Sequence, residues 1–259
     1  MLYHWQAFNK EWLAKSLEER MVYCSKPGDF NDPWDCRPFF NTDVLNDPVE
    51  NERHIAWAVD VCGRRTGMTG QDIEAMKTTL RHDPAKAANI ICGISESMSA
   101  EINQRYRVYC LGPDVGNLLM WAHYADKHKG VSLEFSLRNE VMCSALRCEY
   151  SDGFPIINLH EDSDDQDLRM LLAKANSWRD EKEYRLVAQE RSHAVGSGTL
   201  LTDDGFLKLP QGALMSVIVG CVGDYDKISS LVRSIDPDVR VKRALRVPNR
   251  YAIRIVEQP

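Results

Sequence analysis

A chain of 259 residues with 44% hydrophobic and 27% charged side chains is long enough for one large domain, or for a core carrying an insertion. Its net charge of −6 excludes a protein that coats nucleic acid over its whole surface, while leaving room for a local basic patch. No apolar run approaches the roughly 18–20 residues of a bilayer span, and the first residues lack a signal peptide's basic and apolar regions, so a cytoplasmic protein without a membrane partner is expected.

Taken in order, Leu2–Trp5 reads as a short strand, Lys10–Leu17 as a weak helix and Met21–Ser25 as a strand stopped by Lys-Pro-Gly. The composition of Phe30-Asn-Asp-Pro-Trp-Asp35 makes it a loop. Residues 46–104 read as a helical insertion. Ile55, Val59 and Cys62 recur at helical spacing, Thr69–Leu80 fits a second helix, and Asp83-Pro84 caps a third that carries Ile90, Ile91, Ile94 and Met98. Beyond it, Arg107–Leu111 fits a strand, Leu118–Lys127 a helix ended by Gly130, Gly130–Phe135 a strand and Cys148–Ser151 another. The acidic run 160–167 reads as a loop, in which Ser163-x-x-Gln166 fits a capping box for a helix through Leu168, Leu171 and Leu172. Strands fit Glu181–Gln189, Phe206–Leu209, Ser216–Gly220, Val239–Val247 and Tyr251–Val256, and a helix fits Lys227–Ile235. The order lacks a regular βαβ rhythm. The expected class is α+β, one domain over 1–259, with a mixed or antiparallel sheet and the helical insertion at 46–104.

Eight cysteines stand apart, with no Cys-x-x-Cys pair to build a zinc cage, and suit a reducing compartment. His123 and His128 are five apart, one more than helical metal ligands require. Neither a P-loop nor a Rossmann glycine fingerprint is present. Gly220-Cys-Val-Gly223 is either a tight strand-to-helix turn or an anion-approach point.

The chemistry concentrates in Glu181-Lys-Glu183-Tyr-Arg185. Two carboxylates two residues apart at a strand entrance can share one face, where burial and mutual repulsion tune an acid, a base or a hydroxyl clamp. Asn31 and Asp32 either close an Asx-turn or orient a ligand's ribose and phosphates, and Asp32 and Asp35 could instead touch a metal. His123 and Tyr124 are candidates for stacking on or hydrogen bonding to a bound base, while Trp121 and Ala125 fit core-facing positions of the same helix. On the first strand, His4 faces away from Tyr3 and Trp5, which isolates an imidazole able to bind a ribose hydroxyl.

Four segments together, Leu2–Trp5, Phe30–Asp35, Met120–Gly130 and Trp178–Arg185, resemble a bacterial family of unknown function numbered 2971. Glu181-x-Glu183 and His4 also resemble features of ADP-ribosyltransferases, whose fold is a split pair of small sheets gripping NAD. For the middle-strand Ser-Thr-Ser of that fold this chain offers only Ser132. The second resemblance implies NAD as the substrate. Glu183, Glu181 and His4 would be the catalytic set, with Tyr3, Asn31, Asp32, Trp121, His123, Tyr124 and Arg185 around the dinucleotide. Glu183 would stabilise oxocarbenium character, Glu181 orient an acceptor, His4 hold a ribose and Tyr124 stack on nicotinamide.

The expected function is therefore an NAD-consuming effector of bacterial conflict or phage defence. It would act on a nucleic-acid or protein acceptor, alongside a protein partner from a defence operon. The alternative is a non-catalytic or nuclease-like nucleic-acid-binding module. It would use Arg240, Lys242, Arg243, Arg246, Arg250 and Arg254, with Glu183 and Arg185 in an internal ion-pair network with the Asn-Asp-Pro loop.

Overall fold

The computed structural model describes residues 1–37, 42–155, 160, 164–195 and 199–257. The chain is α+β, with two larger sheets and a small one. The first sheet has the order β1-β4-β11-β12-β13, formed by Leu2–Gln6, Val131–Phe135, Leu214–Val219, Arg240–Arg246 and Ile253–Glu257. The second runs β2-β10-β9-β8-β3, formed by Met21–Tyr23, Phe206–Lys208, Leu200–Asp203, Tyr184–Glu190 and Tyr106–Leu111, with β5 (Leu146–Arg147) also paired to β8. A two-stranded parallel piece joins β6 (Glu149–Ser151) to β7 (Ala173–Ala175). Most pairings are antiparallel, but β11 with β12 and β8 with β9 are parallel, so the expected mixed arrangement is present.

Alternation along the strands explains the core. Val131, Leu133 and Phe135 of β4 and Val217 and Val219 of β11 turn one face inward, where they meet Tyr109, Leu111, Leu186 and Leu207 of the second sheet. Helices α1 (Lys10–Glu18) and α7 (Tyr225–Ile235) add Leu13, Leu17, Ile228 and Val232 to the same cluster. On the opposite face of the first sheet, Trp5 and Ile218 pack on Met120 and Trp121 of α5 (Leu118–His123).

Three helices lie between β2 and β3: α2 (Pro48–Thr66), α3 (Gly70–His82) and α4 (Pro84–Arg105). Their starts follow the capping chemistry. Asp47 and Asp83 each accept amide hydrogen bonds ahead of a proline at the first helical position, and Thr69 closes a capping box with Asp72. Ala58, Ile91, Ile94 and Ile102 pack against Tyr106 and Val108 of β3 and against Met170 and Leu171 of α6 (Asp164–Leu172). The capping box expected at Ser163 lies outside the described residues.

Three sequence expectations shift locally. The helix expected over Leu118–Lys127 stops at His123, because Asp126, Lys127 and His128 adopt positive φ of 43°, 54° and 69°. That reversal brings Gly130 back so that its amide donates to the Ala125 carbonyl. The strand expected from Glu181 begins at Tyr184; Asn176–Glu181 forms a 3-10 turn ended by left-handed Lys182 (φ 50°). Gly220 and Gly223 form a tight turn, since a Cβ at Gly220 would fall on the His128 carbonyl and one at Gly223 would lie 2.7 Å from that of Lys129.

The two larger sheets meet where β1 and β3 separate. Tyr3 and Gly112 exchange both backbone hydrogen bonds at 2.8 Å, and Ser25 and Val108 do so at 2.9 and 2.8 Å. Between these two bridges the walls diverge and leave a hollow.

Candidate functional site

That hollow has a volume of about 340 Å³, at the lower end of the range for small-ligand sites. β1 contributes His4, the loop after β2 contributes Phe30, Asn31 and Asp35, β3 contributes Tyr109 and Cys110, and α5 with its C-cap contributes His123 and Tyr124. Lys174 from β7, Glu181 and Glu183 from the turn before β8, and Arg185 from β8 complete the charged wall.

Arg185 organises this wall. It is fully buried because it sits mid-sheet, opposite Cys110 on β3 and Leu146 on β5. Its Nε donates to Glu183 Oε1 at 2.7 Å, its Nη2 to Asp35 Oδ2 at 2.7 Å, and its Nη1 to the Leu171 carbonyl at 2.6 Å. A buried guanidinium needs this degree of satisfaction. The network between Glu183, Arg185 and the Asn-Asp-Pro loop thus exists, with Asp35 as the loop's member.

Lys174 is the second cation. Its Nζ donates to Glu181 Oε2 at 2.6 Å and to Glu183 Oε2, and lies 3.9 Å from Asp35 Oδ2. Glu181 and Glu183 do not share a strand face as the spacing suggested. The left-handed Lys182 between them instead swings both carboxylates onto one ammonium. Burial acts to raise the Glu183 pKa, but Arg185 and Lys174 together outweigh it and hold the carboxyl down to about 2. For Lys174, burial acts to lower the pKa, and the charges of Glu183 and Glu181 outweigh it and raise it. Three buried carboxylates therefore face two cations, a formal charge of −1 on the wall of the hollow.

Beside this charged wall stand two neutral groups, His4 and Tyr124. Burial drives the His4 imidazole down to about 4, so it is uncharged near pH 7. Its Nδ1 donates to the Cys110 carbonyl at 2.8 Å, which leaves Nε2 as an acceptor, and its ring stacks on Tyr109 at 4.2 Å. Tyr124 donates its hydroxyl to Glu181 Oε1 at 2.8 Å, and burial followed by the Glu181 charge raises its pKa. Asn117, the cap of α5, accepts from Leu119 N and donates to the Asp180 carbonyl at 2.8 Å, which fixes the acidic turn against Tyr124.

Of the sequence-nominated residues, His4, Asn31, His123, Tyr124, Glu181, Glu183 and Arg185 gather on this hollow. Three do not. Trp121 is fully buried in the core, its indole donating to the Val115 carbonyl at 2.7 Å. Tyr3 faces the other side of β1, its hydroxyl on Glu134. Asp32 is a bolt: Oδ1 accepts from Trp34 N, and Oδ2 accepts from the Trp178 indole at 2.6 Å. Asp32 and Asp35 thereby fasten the Phe30–Asp35 loop to the Trp178–Arg185 segment, nearly 150 residues away. Lys174 carries no sequence signal, since Ala173-Lys174-Ala175 after a helix gives no sign of a buried cation.

The basic C-terminal residues do not form one cationic face. Arg240 pairs with Glu257 and Lys242 with Glu134, while Arg243, on the other face of β12, lies over the Tyr225 ring.

Residues 120–186 match the model of a family described only as a protein of unknown function (DUF2971). The resemblance to that family holds. The matched stretch contains both the Met120–Gly130 and Trp178–Arg185 motifs and runs through Lys174, Glu181, Glu183 and Arg185. The Leu2–Trp5 and Phe30–Asp35 motifs lie outside the DUF2971 match, yet His4 and Asp35 reach the same hollow. No curated protein and no solved structure matches the chain.

Proposed function

We propose that the hollow binds the nicotinamide end of NAD and cleaves its N-glycosidic bond, in the manner of an ADP-ribosyltransferase or NAD glycohydrolase. The observation that carries the reading is the convergence of Glu183, Glu181, Tyr124 and His4 on one hollow with a net negative wall. As the bond between ribose C1′ and nicotinamide breaks, its electron pair stays on the ring nitrogen and positive charge develops on the ribose. Glu183, ionised at every working pH, is suited to stabilise that charge electrostatically rather than to carry a proton. Glu181 uses only one lone pair on each oxygen, for Tyr124 and Lys174, so it can still accept a hydrogen bond from a ribose or acceptor hydroxyl. Neutral His4 offers Nε2 to a second ribose hydroxyl.

The effector role in bacterial conflict, and a nucleic-acid or protein acceptor, remain part of this proposal. The internal ion-pair network suits the alternative nucleic-acid module equally well, but the division of the C-terminal cations between two faces supports the enzymatic reading over it. The test is release of nicotinamide from NAD by wild type, Glu181→Gln and Glu183→Gln, each checked for folding by circular dichroism. Release by wild type that falls at least about 100-fold in folded Glu183→Gln is expected. No release by wild type with any acceptor, or equal turnover by the variant, overturns the proposal.

A further inference from the structure

Away from the hollow, Glu50 and His54 of α2 stand one helical turn apart, so their side chains share a face. His160, from the chain between β6 and α6, meets them there. Among the described residues these are the one group of three metal-type side chains whose donor atoms all lie within 4.8 Å of one another.

The local geometry prepares each donor. His54 is fully buried, and its Nδ1 lies 2.7 Å from the Glu50 carbonyl, which can only accept; Nδ1 therefore carries the proton and Nε2 the lone pair. This is the arrangement in which a backbone carbonyl orients a metal-binding histidine. Glu50 Oε1 accepts from Arg53 at 2.7 Å, which turns Oε2 toward His160, 4.0 Å from its Nε2. The His160 ring stands edge-on to that of His54 at 4.8 Å, and its Nδ1 is buried without a hydrogen-bond partner. Two imidazoles beside a carboxylate are a suitable donor set for a borderline transition metal.

We propose that Glu50, His54 and His160 bind a divalent transition ion, zinc being the best fit to two nitrogens and one carboxylate oxygen. The donors close on the ion by about 1 Å relative to their present spacing, because tetrahedral bonds of about 2.0–2.1 Å require it. The ion would hold His160 to α2. The site is independent of the hollow and does not rest on its chemistry.

The experiment strips the full chain with a chelator and titrates it with Zn²⁺ against a chromophoric competitor, then with Co²⁺ followed by visible absorption. One equivalent bound is expected, with a cobalt spectrum free of thiolate charge-transfer bands. Glu50→Gln and His160→Asn are each expected to bind at least about 100-fold more weakly, since losing a ligand costs more than the 10–100-fold of an outer-shell partner. Both variants alter partly exposed residues, and their stripped forms should match stripped wild type in circular dichroism and melting temperature. Absence of stoichiometric binding, a cobalt–thiolate spectrum placing the ion on cysteine, or wild-type affinity in both variants overturns the proposal.

Discussion

Replacing Lys174 by Met keeps the length of the stem and deletes the charge that two glutamates share. Both carboxylates now hydrogen-bond to one Nζ, so their nearest oxygens lie within about 5 Å. At an effective dielectric constant of about 20, two unit charges at that separation repel by about 3 kcal/mol. Removing one partner from a buried ion pair costs about 3–5 kcal/mol, the same scale. Arg185 alone would then face Glu183, Glu181 and Asp35. The relief available is protonation of one glutamate, which raises its folded pKa above the unfolded value. The folded variant then holds more protons than its unfolded chain over that interval, so its stability falls as pH rises through it. Urea unfolding at pH 5, 6, 7 and 8 should give a deficit relative to wild type that widens with pH, reaching about 3–5 kcal/mol at neutrality. Adding Glu181→Gln should restore a large part by removing one of the repelling charges. A Lys174→Met protein within about 1 kcal/mol of wild type, with a parallel pH dependence, would refute the claim that this lysine holds the acidic wall together.

Two further outcomes follow from particular contacts. In wild type, Glu183 has its pKa depressed from 4.5 to about 2, so its contribution is fully present above about pH 4.5 and is lost as pH falls toward 2; acid unfolding followed by tryptophan fluorescence should show that loss, and Glu183→Gln should lack it. Gly220→Ala should lower the melting temperature by about 5–10 °C, because its Cβ meets the His128 carbonyl, whereas Gly153→Ala, with nothing within 4 Å, should change it little; equal melting temperatures for the two would count against the close approach of the turns.

What the sequence made legible was local. His4 could be separated from Tyr3 and Trp5 because strand alternation is a property of consecutive residues, and the Asp83-Pro84 cap and the hydrophobic stripe of α4 are equally local. The Glu-x-Glu signal was visible, but its geometry was not: a shared strand face was the natural reading, and one left-handed residue, Lys182, sets the real arrangement. The pairing of Glu183 and Arg185 with the Asn-Asp-Pro loop was legible, with Asp35 as the member that reaches Arg185, but Lys174 was silent because chain closure alone brings it beside residues 35 and 183. Trp121 and Ala125 were legible as core positions of α5 and its C-terminal turn, and both are fully buried, with the Trp121 indole donating to the Val115 carbonyl. Glu50 and His54 stand at helical spacing, but their third donor, His160, lies 106 residues beyond His54, where no local pattern points to it.

The charge balance of the wall links its stability to its proposed use. A chain needing only cohesion at this point would be served as well or better by packed apolar side chains, since buried ion pairs seldom repay their desolvation. Here the pairing is also incomplete by one negative charge, and that excess borders a hollow rather than a second ion pair. A ligand group that brings one positive charge would complete the balance of this buried network, with Asp29 a further carboxylate at the same hollow. The oxidised nicotinamide ring carries such a charge and loses it when the glycosidic bond breaks. On the proposed reading, the wall that would attract the ring before cleavage would then have no charge to hold the neutral product, while the developing positive ribose would stay beside Glu183. The same fixed anion would favour binding, stabilise the transition state and leave product release unhindered. Neutralising Glu183 should therefore weaken binding and transition-state stabilisation together and leave release of the neutral product unchanged, whereas a residue that only packs the site would change binding alone.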